Sequence, residues 1–149
     1  MNAPVARRVR LAIVTLAAFA ACSTANAPSL SLRPLGNGSN AAYRGVRHQA
    51  TLVFGDEALR DVWKKMVGEG EPPAVDFAKD YAILLFAGQH PTSGYSIEPH
   101  RANVDGRVLI IEATLLAPPE GSYVAQTLTS PWAVMAVPIV DVDIVRWQE

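Results

Sequence analysis

The reactive side chains of this 149-residue chain are few: three histidines, one cysteine, and a serine, Ser93, set beside Gly94. Histidine is the usual general base and the commonest metal ligand near neutral pH. Glu98 and His100 are two apart, so on a strand they share a face and could both reach one ion. A metal centre needs a third ligand at a motif spacing, and the sequence holds no His-Glu-x-x-His, Cys-x-x-Cys or acidic calcium loop. The expectation is therefore no metal and no cofactor, with His48, His90 and His100 solvated or locally hydrogen-bonded. Ser93, three residues after His90, invites a hydrolase reading, which needs a base within reach and an oxyanion hole. A nucleophile elbow reads Gly-x-Ser-x-Gly between a strand and a helix, whereas Pro91-Thr92-Ser93-Gly94 falls between two strand-like runs. No glycine-rich stretch leads into a helix to cradle a phosphate. Asp76 and Asp80 suit turn capping rather than acid–base work. No enzyme is expected.

What remains is recognition. In Leu84 to Ile97 an apolar run breaks into the corner Gln89-His90-Pro91-Thr92-Ser93-Gly94-Tyr95 and then resumes. Proline fixes one dihedral, Gly94 permits a backbone conformation that other residues avoid, and Thr92 and Ser93 can satisfy the backbone locally. A stiff loop loses little entropy on docking. A second corner, Gln126-Thr127-Leu128-Thr129-Ser130-Pro131-Trp132, has the same character. The expected contact residues are Thr92, Ser93, Gly94, Tyr95, Gln126, Pro131 and Trp132, presented side by side to a protein partner.

Composition narrows the partner. The formal charge is −1, and three of the arginines, Arg7, Arg8 and Arg10, stand at the start of the chain. The remaining cations are scattered, without the clustered basic face of a nucleic-acid binder. After those arginines, Leu11 to Ala21 form a short apolar run, a signal-peptide profile rather than a membrane span of roughly 20 residues. Ala20-Ala21-Cys22 resembles a bacterial lipobox, which would make Cys22 an acylated N-terminus, and Ala25-Asn26-Ala27 offers an ordinary cleavage site instead. The lone cysteine leaves the fold to stand on its core. Residues 1–21 are read as signal peptide, 22–42 as a lipidated, flexible Ser/Asn/Pro/Gly-rich tether, and 43–149 as one domain. The expected location is the cell envelope, as an outer-membrane lipoprotein or in the periplasm.

Several elements must position the corners. Leu59, Val62, Trp63, Met66 and Val67 make one apolar stripe at helical spacing, begun by Gly55-Asp56 and stopped by Gly68 and Pro72-Pro73. Asp80 to Ala87 is almost continuously apolar, as in a strand covered on both faces. Asp105-Gly106 between alternating runs predicts a hairpin, and Pro99 places its first arm at an edge or a bulge. Further strands are expected over 122–128, 132–137 and 139–147. The prediction is an α+β domain of about six mostly antiparallel strands, with one N-terminal amphipathic helix packed on the sheet.

The ordered series Val75-Asp76-Phe77, Tyr81 to Phe86, Pro91 to Ile97, Val124 to Val134 and Val137-Pro138 resembles the C-terminal domain of PrcB-like proteins. These are bacterial lipoproteins or surface proteins named for a subunit of a protease complex. The resemblance spans roughly 51–139 and implies a non-catalytic accessory role, stabilising or assembling an extracytoplasmic protease complex. Ser93 stands where that family often has Gly, and Trp132 where it often has Tyr. His90 to Tyr95 followed by Ser130-Pro131-Trp132 is also similar to the loops of chagasin-type protease inhibitors. That implies the alternative of a reversible inhibitor using 90–95 and 130–132. His90 and Ser130 depart from that pattern, the Pro118 to Gly121 loop lacks its glycine run, and that fold has no helix like the one over 56–67.

Overall fold

The segment Asp80–Phe86 forms a strand whose last five residues are all buried, because side chains on both of its faces find apolar cover. The computed structural model describes residues 29–149. The expected signal segment, Cys22 and both expected cleavage sites lie outside the described residues. Among the described residues there are seven strands: β1 (Arg33–Gly38), β2 (Gln49–Val53), β3 (Asp80–Phe86), β4 (Ser96–Asp105), β5 (Val108–Leu116), β6 (Trp132–Pro138) and β7 (Ile144–Gln148). They form two sheets, one in the order β1-β6-β3-β2 and the other in the order β4-β5-β7.

The two faces of the first sheet look onto two separate cores. Ile83, Leu85, Ala133, Met135 and Val137 face the second sheet, meeting Ile97, Leu109, Ile111, Ala113 and Trp147. Ala82, Leu84, Phe86 and Val134 face the other way, onto Leu59, Trp63 and Val67. Fully burying a side chain of this size stabilises the fold by roughly 1.5–3 kcal/mol. The β3 to β6 pair therefore carries much of the stability.

The helical stripe forms as its spacing predicts, but as a single short plug. Asp56–Val62 is the α-helix α1, and Trp63–Val67 continues it in wider π geometry. Gly55 holds the cap position and Asp56 is the first helical residue, with no side-chain capping bond. The α+β expectation is thus corrected to a mostly-β fold: two packed sheets of seven strands, with one short helix covering the outer face of the first. The helix does not form a layer because its stripe is spent in three turns and Pro72-Pro73 blocks any extension. Nor is the pairing wholly antiparallel. Pro138 ends β6, the chain crosses to the second sheet, and β7 runs parallel to β5.

Two further segments differ from expectation. Part of the stretch read as tether is β1, paired with β6 from Arg33↔Ala136 to Gly38↔Trp132. Leu30, Leu32 and Leu35 supply its apolar anchors, and Pro34 is tolerable because β1 is an edge strand. Residues 122–128 form no strand and instead run beside the first corner. The hairpin is present, with Gly106 and Arg107 as its loop and a bulge between Pro99 and Arg101.

Arg107 ties the start of β7 to the hairpin loop. Its guanidinium donates from Nη1 to Asp141 at 2.8 Å and grips Asp143 through Nε and Nη2, while its backbone oxygen accepts from the Asp143 N–H at 2.9 Å. The hydrogen bond from Arg107 holds the Asp143 carboxyl below the usual carboxylate range. An unfolded aspartate titrates near pH ~3.9, so the stabilisation from this contact is complete above that value and is lost as pH falls through the lower folded value. Thermal unfolding of the native chain and Arg107→Gln should differ by a constant amount from neutral pH down to about pH 5, and the difference should close in stronger acid. A gap that persists or widens there would contradict the assignment.

Candidate functional site

The corners are joined because β3 and β6 run antiparallel, so the chain leaving one lies beside the chain arriving at the other. The ladder ends formally at Phe86↔Trp132 but continues in pieces. The Ala87 N–H donates to the Pro131 carbonyl at 2.9 Å. His90 and Thr129 exchange both backbone bonds, at 2.8 and 2.9 Å. Beyond them, the Ser93 N–H donates to the Ala125 carbonyl at 3.0 Å, and the Ala125 N–H returns a bond of 2.9 Å to Ser93 Oγ. Thr129 Oγ1 donates to the Thr92 carbonyl at 2.8 Å.

Ser93 Oγ thus accepts a backbone hydrogen bond. The three histidines are apart in function as well as in sequence. His48 tilts against Trp147, with ring centroids 5.1 Å apart. A ring nitrogen of His100 lies 2.8 Å from Thr114 Oγ1. His90 stacks on Tyr95 with centroids 4.2 Å apart and planes 24° apart. His90 Nε2 is the one buried side-chain polar atom without a partner among the described residues. Stacking, not hydrogen bonding, holds that ring.

The expected contact residues separate into three kinds. Thr92, Ser93, Gly94 and Tyr95 form the first corner, partly exposed and braced from below. Gly94 has φ +93, and a Cβ there would stand 2.8 Å from Pro118 Cβ, so both backbone and space demand glycine. Gln126 is exposed on the segment bonded to that corner. Pro131 is fully buried, with Thr129 and Ser130 beside it also buried. Pro131 is therefore corrected from a contact residue to part of the core wall: it sits where the extended β3–β6 ladder passes beneath the surface. Ser130 Oγ donates to the Tyr43 carbonyl at 2.7 Å and pins this stretch from the opposite side.

Trp132 is half-buried and has two roles. One edge of its indole meets Trp63 of the helical plug, with ring centroids 5.1 Å apart and planes near perpendicular at 80°. It also lines a cleft of about 340 Å³, together with Asn37, Gly38 and Ser39 at the end of β1 and Tyr95, Ser96 and Ile97 at the start of β4.

Sequence reasoning missed the residues of β1 here, since Gly36-Asn37-Gly38-Ser39 has the composition of a linker. It also missed Tyr123, and placed Leu128 in the second corner without naming it a contact residue; they stand out from the 117–131 return segment at 106% and 63% exposure. Their signal was available: apolar residues in a run otherwise rich in turn formers, with no strand partner to bury them. A larger cleft of about 420 Å³ lies elsewhere, between α1 and the Glu71-Pro72-Pro73 loop.

The domain is mostly β, with its two crossovers stitched together at one end. Residues 81–138 match the family model described as PrcB C-terminal, and over that span the chain is similar to PrcB-like proteins. The match runs from β3 to β6 and so includes both corners. Neither the curated proteins nor the solved structures offer a match.

The stitching predicts which substitutions cost stability. Gly94→Ala forces a side chain into a left-handed conformation and against Pro118, and should cost about 1–2 kcal/mol or more. Thr129→Val strands the Thr92 carbonyl and should cost about 1–3 kcal/mol. Tyr123→Ala should stay within about 0.5 kcal/mol of the native chain. Urea denaturation measures all three, and a neutral Gly94→Ala would contradict the geometry.

Proposed function

We propose that this protein is a non-catalytic binding module of the cell envelope, an accessory or stabilising subunit of an extracytoplasmic protease complex. The observation that carries the reading is the pair of backbone bonds between His90 and Thr129, which makes one preformed surface from segments far apart in sequence. Preorganisation of this kind lowers the entropic cost of docking. Tyr95 and Gln126 from the expected set, joined by Tyr123 and Leu128, are the contact residues on that surface. Exposed aromatic and aliphatic side chains on a rigid support are what protein interfaces use as anchors. The likeness to a family named for a protease-complex subunit supports the choice of partner.

In this reading the chain is exported behind residues 1–21 and held by a lipid on Cys22. Leu30 donates its N–H to the Ala102 carbonyl at 2.7 Å and is thereby fixed to the second sheet. The eight residues from Cys22 to Ser29 can then span at most roughly 30 Å. The domain would stand close to the bilayer, and its partner would be a membrane-proximal protease.

Capture with the tagged full-length chain from the envelope of its own cells, read by mass spectrometry, tests the reading. A protease complex should be recovered, and Leu128→Asp with Tyr123→Ala should lower recovery at least tenfold while leaving the unfolding midpoint in place. Recovery that the double variant does not change would overturn the surface. Dose-dependent inhibition of a papain-like protease by the purified chain would favour the inhibitor alternative.

A further inference from the structure

β1 is one of the two edge strands of the first sheet and β4 one of the two edge strands of the second. At one end the two edges are tied by the backbone bridge between Leu30 and Ala102. At the other end they part around the 340 Å³ cleft described above, a volume within the ligand-pocket range of roughly 300–1,000 Å³. We infer that this cleft is a binding site for an extended, uncharged peptide segment of the partner, which lies along the open strand edges with a backbone carbonyl on the Trp132 indole N–H.

Three independent features specify that ligand. The first is the indole N–H. Trp63 Nε1 donates to the Glu69 carbonyl at 3.0 Å and Trp147 Nε1 to the Ala113 carbonyl at 2.7 Å. Among the described residues, Trp132 Nε1 has no acceptor, and it is not among the buried orphans, so it reaches the surface. An indole N–H only donates, and a peptide carbonyl is its natural acceptor.

The second is the wall. A Cβ on Gly38 would fall 2.6 Å from Trp132 Nε1, so glycine alone lets the β1 backbone pass this close to the ring. Gly36 and Gly38 leave the β1 edge unscreened, and an edge without side-chain cover accepts another strand. The third is charge. The lining offers amide, hydroxyl and indole groups and no ionised side chain. A charged residue would lose its hydration there without a counter-charge, whereas a neutral backbone exchanges water for fixed polar groups.

This inference deepens the protein-binding reading and rests on it, and it extends the contact from the corner into the cleft that Gly94 and Tyr95 help to line. The test is a titration of the isotope-labelled full chain with a capped peptide of about eight residues, alternating Thr and Val, followed by the indole N–H resonance of Trp132. Saturable shifts of that resonance and of the Gly38 and Ile97 amides are expected. Trp132→Phe keeps an aromatic ring without the donor and should weaken binding about five- to tenfold. The same peptide N-methylated at alternate residues, or carrying alternating Lys and Glu, should leave the resonances in place. Equal binding of the N-methylated peptide, or no shift with the neutral one, overturns the inference. So does an indole shift on raising the protein concentration alone, which would put a second copy in the cleft. Capture of a protease by a chain whose indole ignores the peptide would remove this inference and leave the proposed function standing. Peptide binding with no protease captured would support the cleft and remove the choice of partner.

Discussion

The antiparallel pairing of β3 with β6 is the constraint on which the remaining structure depends. Seven residue pairs, from Asp80↔Pro138 to Phe86↔Trp132, hold two central strands together with apolar side chains buried on both faces. One face makes the core between the sheets, and the other receives Leu59, Trp63 and Val67 from the helical plug. Because the strands are antiparallel, the end of β3 and the beginning of β6 must coincide in space. The crossover that leaves for the second sheet and the one that returns from it are therefore neighbours by geometry. The bonds at Ala87, His90 and Thr129 extend that pairing past the point where the strands formally stop. The paired corners are a consequence of the core.

This origin decides what the corners can do. A loop that continues a ladder has little freedom, and Gly94, Ser93 and Thr129 each have their conformation or hydrogen bond already assigned. Such a site suits recognition by shape. Ser93 Oγ accepts from the Ala125 backbone N–H. The same rigidity separates the contact surface from the core wall within a few residues. Gln126 and Leu128 are exposed while Thr129, Ser130 and Pro131 are buried, because the segment descends as it joins the ladder.

Much of this was legible in the chain. The unbroken apolar run at Ala82 to Phe86 announced a strand covered on both sides, and Leu59, Trp63 and Val67 announced the face that covers it. The alternation through Leu109, Ile111 and Ala113 gave the inner face of the hairpin. The misses have physical causes. Arg33 to Gly38 carries one proline and two glycines, the composition of a linker, yet an edge strand needs only half its backbone bonds and tolerates all three. Residues 122–128 alternate like a strand but meet only the corner, so they gain bonds at Ala125 without joining a ladder. Pro131-Trp132 reads as an exposed turn by composition, and its burial follows from register, which no local pattern encodes. That β7 pairs parallel to β5 accompanies contacts of Arg107 with Asp141 and Asp143, side chains more than thirty residues away in sequence.

The central claim is that the corners are one preorganised surface, and amide hydrogen exchange measures this most directly. The N–H groups of His90, Thr129, Ser93 and Ala125 should be protected well beyond an open loop and should lose that protection together in Thr129→Val. The Tyr123 and Gln126 amides, outside the stitching, should exchange freely. Exchange at His90 and Thr129 as fast as at Tyr123 would show two independent loops and contradict the account.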